Sequence, residues 1–195
     1  MLCKASALDL IVHWQRSFKV KDGVYNAIAY VENPNLDSGA SLLSYKFKLY
    51  DKDNFLIYER DGKTFIPPKK IFGIFESNIL TGTRIPTKTD FEYSPPAWRR
   101  DATQEKFLSI AKQNLAVSDQ GSRLTASLEN NNLEPVRNIE AVALIYDTDT
   151  GNAVGTSRTV VDSIEKGSSA PLIFTWPEAF FASTTRNEIL YRFLR

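Results

Sequence analysis

Cysteine and histidine are almost missing from this chain: 195 residues contain one of each, Cys3 and His13. A single cysteine excludes an internal disulfide. That count suits a cytosolic protein, and it also suits the many surface sandwiches that lack disulfides. A zinc site needs about four ligands of His or Cys type, sometimes with a carboxylate, and this inventory cannot supply them. A Ser-His-Asp arrangement would have to run through His13, which sits beside Trp14 in an alternating pattern and reads as an ordinary half-exposed strand histidine. No G-x-G-x-x-G or P-loop pattern is present, so no cofactor is expected. No run of about 18 apolar residues occurs, and Met1-Leu2-Cys3-Lys4 lacks the basic and then apolar regions of a signal peptide. Charge of one sign is missing too. The formal net charge is +1; residues 1–98 carry 13 basic and 11 acidic side chains and residues 99–195 carry 11 and 12. Neither half has the positive bias that nucleic-acid phosphates require. No stretch combines a helical period with caps.

What is present is a repeat. Val31-Glu32-Asn33-Pro34-Asn35 and Tyr45-Lys46-Phe47-Lys48-Leu49-Tyr50-Asp51 recur as Leu128-Glu129-Asn130-Asn131-Asn132 and Val142-Ala143-Leu144-Ile145-Tyr146-Asp147. An offset of about half the chain points to one domain duplicated in tandem. We expect a first β-sandwich over 1–94, a Pro-rich linker over 95–102 and a second, divergent sandwich over 103–195. Domains of that size bury an adequate core without staples.

Period-two alternation and turn residues place the strands. In the first repeat these are Leu8–Val20, Val24–Val31, Leu43–Tyr50, Phe55–Arg60, Ile71–Asn78 and Thr87–Tyr93. Lys21-Asp22-Gly23 makes a hairpin turn. Leu36–Ser41 reads as a polar loop. Leu43, Tyr45, Phe47 and Leu49 face a core, while Lys46 and Lys48 face water. In the second repeat the strands are Phe107–Val117, Leu124–Glu129, Ala141–Tyr146, Ala153–Val161, Leu172–Trp176 and Ile189–Leu194. Ile189, Tyr191 and Phe193 match Thr89, Phe91 and Tyr93, and Arg192 and Arg195 suggest an exposed face on the last strand. The architecture is therefore all-β, two tandem immunoglobulin-like antiparallel sandwiches.

Candidate sites are few. The first half holds 15 aromatics and the second 8; most serve a core, and Phe55 and Tyr58, beside a turn, are candidates for exposed members that meet a partner or a sugar ring. Trp98, just after Pro95-Pro96, is a candidate contact at the junction. Asp147, Asp149 and Asn152, with Asp51, Asp53 and Asn54 in the equivalent turn, resemble the beginning of a calcium loop. They offer too few oxygens for that ion, and they are also what a hairpin turn uses on backbone grounds. Glu32 and Glu129, like Asp51 and Asp147, recur as pairs. Paired carboxylates can do acid–base work, but recurrence favours structure, with Asn33 and Asn35 bonding nearby amides to hold a turn. On that reading Asn33→Ala costs about 1 kcal/mol.

Phe47-Lys48-Leu49-Tyr50-Asp51 resembles the F-x-L-Y-D motif of the FxLYD domain, an immunoglobulin-like sandwich of bacterial and archaeal proteins, and Glu-Asn-Pro-Asn upstream is similar to its turn. The second copy keeps only Tyr146-Asp147. The resemblance implies bacterial surface proteins of unknown function in which a membrane helix and a cysteine-rich segment precede two such domains. Cys3 would then be the last cysteine of that segment, and the chain a fragment without its N-terminal anchor. It implies an extracytoplasmic location and no catalytic residues. We therefore expect a non-enzymatic cell-surface interaction or spacer module, with a protein partner or self-association through strand edges such as Phe55–Arg60 and Ile189–Leu194. Lys46 and Lys48 are candidates for guarding one such edge. The alternative is a carbohydrate-binding module with a glycan partner.

Overall fold

The computed structural model describes residues 7–101, 106–180 and 185–194. Cys3, Ala102, Thr103 and Arg195, which carry expectations above, lie outside them. The described chain is all-β. In order it forms β1 (Ile11–Lys21), β2 (Val24–Asn33), β3 (Ser38–Tyr50), β4 (Leu56–Ile66), β5 (Lys70–Leu80), β6 (Lys88–Tyr93), β7 (Arg99–Arg100), β8 (Leu108–Ser118), β9 (Gly121–Asn130), β10 (Val136–Asp147), β11 (Ala153–Ile164), β12 (Ser169–Trp176) and β13 (Thr185–Phe193). It divides into two compact units, one of Met1–Ser17 with Ala27–Gln104 and one of Phe18–Asn26 with Glu105–Arg195.

Each repeat forms two three-stranded sheets with one topology. In the first they are β1-β2-β5 and β4-β3-β6, with β7 added against β3; in the second they are β8-β9-β12 and β11-β10-β13. The duplication read from the motifs is thus a duplication of topology. The expected strands are all found, mostly longer than expected. β3 begins at Ser38, inside the stretch read as a loop, and Gly39 pairs there with Arg99 of β7. The short β7 escaped the pattern, because two residues carry no period.

Alternation decides which side chains are buried. Leu43, Tyr45, Phe47 and Leu49 of β3 are buried, and Tyr93, Phe91 and Thr89 stand opposite Tyr45, Phe47 and Leu49 on the same face. Rings run along this face: Tyr45 to Phe47 at 5.9 Å, Phe47 to Phe91 at 4.9 Å, Phe91 to Tyr93 at 6.0 Å. Part of the aromatic excess of the first half is spent here. Gly62 on β4 leaves room for it, since a Cβ there would stand 2.2 Å from the Tyr45 ring. In the second repeat Ala141 and Ala143 replace the large rings of β3. Its core draws on Phe174, Leu172, Leu124 and Leu128, with Trp176 and Phe180 packed against it.

Two expectations need correcting. Lys46 and Lys48 guard no edge, because β3 lies between β4 and β6. They form a charge ladder on the outer face, Lys46 with Glu59 at 2.6 Å and Lys48 with Glu92 at 2.6 Å. Donating hydrogen bonds to those carboxylates pushes both ammonium pKa values up. Arg192 is not exposed either. It is buried, its Nε donating to Glu140 Oε2 at 2.5 Å, and Arg158 meets the other Glu140 oxygen at 3.2 Å. A carboxylate inside an apolar strand run needs such partners, and the pair stands directly across β10 and β13.

The repeated asparagines tie the two sheets of each repeat at one end. Asn33, 1% exposed, ends β2. Its Nδ2 donates to Ser38 O at 2.7 Å, at the start of β3, and to Pro67 O at 2.8 Å, just past β4. Its Oδ1 accepts from the amide and side chain of Asn35. Asn35 in turn grips the backbone of Leu8, accepting its N–H at 2.8 Å and donating to its carbonyl at 2.9 Å. Asn130, fully buried, repeats the device with Glu134 O at 2.9 Å and Ile164 O at 3.0 Å. Asn132 donates to Asn130 Oδ1 and to Phe107 O. The side chain does more than hold its own turn. It satisfies carbonyls of two separate segments, and those are left unpaired when it is removed. Asn33→Ala and Asn130→Ala are therefore expected to destabilise their units by about 2–4 kcal/mol each, more than one exposed hydrogen bond. Denaturant unfolding followed by fluorescence checks this, and an unchanged midpoint for either variant contradicts it.

Candidate functional site

The paired aspartates close turns at the far end of the central strands. Asp51 Oδ1 accepts the amides of Asp53 at 3.1 Å and Phe55 at 2.9 Å. Asp147 Oδ1 accepts those of Asp149 and Thr150, both at 2.9 Å. Backbone bonds complete each loop: Asn54 N to Asp51 O at 3.0 Å, Gly151 N to Asp147 O at 2.8 Å. Gly151 has φ +69°, the left-handed conformation the turn demands. The hydrogen bond from the Thr150 amide, opposed by desolvation and helped by the Asp149 amide, holds the Asp147 carboxyl below its ordinary range. The Asn152 amide turns to Thr150 Oγ1 at 3.3 Å. Of the residues that suggested calcium, Asp51 and Asp147 thus each engage one carboxylate oxygen with backbone amides, and among the described residues no group of three or more His, Cys, Asp or Glu is placed to hold a metal ion.

The tyrosine before each aspartate has a matching role. Lys88 Nζ lies 4.9 Å from the Tyr50 ring centre, and Arg186 Cζ lies 4.4 Å from that of Tyr146. Each cation stands opposite its tyrosine across the sheet. Retention of Tyr-Asp in the degraded second motif therefore has a physical reason: a cation–π contact on the outer face and an anchored turn beside it.

The candidate aromatics do not assemble into one platform. Phe55, 65% exposed, leaves the Asp51 turn at the Tyr50 end of β3. Tyr58 is half-buried on β4 opposite Leu49, with Arg60 5.8 Å from its ring. Trp98 is half-buried and immediately precedes the Arg99–Gly39 pairing, at the opposite end of β3 from Phe55. A strand of that length spans on the order of 40 Å. Trp14 and Tyr30 stack on one another at 5.4 Å and 14°, each covering a ring face. His13 meets Tyr30 edge-on at 5.6 Å, and its Nε2 lies 2.8 Å from Glu32.

Two features escaped the sequence reading. At the margin of the first repeat, Tyr45 Oη donates to Glu76 Oε1 at 2.7 Å and Arg60 approaches Glu76 at 3.6 Å. Nothing in the local pattern links residues this far apart. The second feature was visible in the repeat itself: a leucine follows the second clamp asparagine in both copies, Leu36 and Leu133, and both are exposed.

No protein-family model and no curated protein matches the chain. Among solved structures it is similar to red sea bream transglutaminase, at 10% identity and a TM-score of 0.33. The match covers 97% of this chain and 29% of that one, and a likeness at that score carries no argument.

The Asp147 turn makes a pH prediction. A carboxyl depressed in the folded state contributes stability above its unfolded pKa and loses it as pH falls through the folded value. Asp147→Asn is therefore expected to melt below wild type near neutral pH, the gap closing as pH falls through the ordinary carboxylate range and below it. A gap independent of pH contradicts the assignment. Millimolar calcium is expected to leave the melting temperature unchanged, and an upward shift would reopen the metal reading.

Proposed function

We propose that this chain is a non-enzymatic interaction or spacer module that works outside the cytoplasm and reaches the membrane through a segment not in this sequence. One observation carries the reading. In both repeats the Asn and Asp side chains that recur are engaged in the same architectural bonds: Asn33 and Asn130 to carbonyls, Asp51 and Asp147 to turn amides. Duplicating a scaffold while keeping its framework and varying its faces suits presentation of surfaces more than a single reaction centre. The outer face of the central strand illustrates the variation, with paired Lys46 and Lys48 in one copy and buried Val142 and Leu144 in the other. The resemblance of Phe47-Lys48-Leu49-Tyr50-Asp51 to FxLYD domains supports the location.

Labelling of intact cells tests it. A membrane-impermeant amine reagent should modify exposed lysines such as Lys52 and Lys166 on the full-length protein before the cells are broken. Labelling only after lysis overturns the extracytoplasmic reading.

A further inference from the structure

The asparagine clamps hold apolar side chains out in solvent at equivalent places in both repeats. Asn35 fixes the backbone of Leu8, and Leu36 follows it. Leu8 is 61% and Leu36 71% exposed. Asn132 fixes the carbonyl of Phe107, and Leu133 follows it. Phe107 is 71% and Leu133 81% exposed. Single exposed leucines are common and need no explanation. A pair repeated at one structural position, in copies whose central strands have changed from charged Lys46 and Lys48 to apolar Val142 and Leu144, does need one. Packing does not provide it, because these side chains are mostly in water. Their backbones are pinned, so a partner meeting them loses little chain entropy on their account.

The charges beside each pair indicate the partner. Asp37, next to Leu36, lies 3.8 Å from Arg100, with side chains 66% and 81% exposed. Glu134, next to Leu133, lies 3.3 Å from Lys106, at 77% and 42%. Each patch therefore presents an apolar pair with one exposed acid and one exposed base. A surface carrying both signs beside an apolar centre is complementary to a rotated copy of itself, as symmetric contacts between identical chains require.

We propose that these two clamp patches are self-association sites, through which a second copy of this chain docks apolar pair to apolar pair with acid facing base. The inference rests on reading the chain as an interaction module, and it names the partner. Each patch is small, so the association is weak per contact.

Sedimentation velocity of the intact chain over a concentration series tests this. Wild type should associate reversibly. Leu36→Asp and Leu133→Asp should each weaken association at least about tenfold, and the double variant should be monomeric. Asp37→Arg should weaken it, and adding Arg100→Asp should restore it, which non-specific apolar contact would not do. Melting curves matching wild type show that the variants fold; Leu36→Ser and Leu133→Ser replace any that melt early. A wild type that stays monomeric, aspartate variants that associate like wild type, or a charge exchange that restores nothing would each overturn the proposal. A monomeric wild type leaves the surface-labelling result untouched, so the two readings fail separately.

Discussion

A buried carboxamide at the end of the second strand is the interaction on which each repeat depends. Asn33 and Asn130 are buried at the ends of β2 and β9 and have nowhere to find water. Each donates to carbonyls of two separate segments and accepts from the asparagine two residues on. A backbone that leaves one sheet for the other must expose polar groups at the crossing. One amide side chain, with two donors and an acceptor, satisfies several of them at once. That explains why the asparagines survive in a second copy whose core has been rebuilt from tyrosine and phenylalanine to alanine.

The far end of the central strand has its own anchor. Asp51 and Asp147 hold their turns by accepting amides, and the preceding tyrosine is covered by a cation from the neighbouring strand. The central strand is therefore fixed at both ends by short-range bonds and in the middle by packing. Between these anchors the side chains are free to diverge, which is where the two copies differ most.

Much of this framework was legible because it is periodic or repeated. Alternation in Leu43 to Tyr50 identified its buried face, but the expected match of the last strands was two residues out: Asn187, Ile189 and Tyr191 stand on β10 as Thr89, Phe91 and Tyr93 stand on β3. The repeat marked the asparagines as structural, though not that they reach Pro67 and Ile164, more than 30 residues away. What could not be read was pairing at a distance. Lysine alternation looks the same on a central strand as on an edge, so Lys46 and Lys48 were misplaced. A lone arginine near a chain end looks solvated until its partner appears, so Arg192 was misplaced too. The candidate aromatics were chosen for neighbouring turns, and proximity in sequence does not bring Trp98 to Phe55.

Amide hydrogen exchange at Asn35 and Asn132 tests the clamp most directly. Both N–H groups lie in loops, where exchange is ordinarily fast, yet each donates at 3.0 Å to the carboxamide oxygen of a buried asparagine. The account predicts that they exchange as slowly as the central-strand amides, because they are released only when the unit opens as a whole. Exchange at loop rates, while the strands stay protected, would mean that the clamp opens freely and does not hold the sheets together.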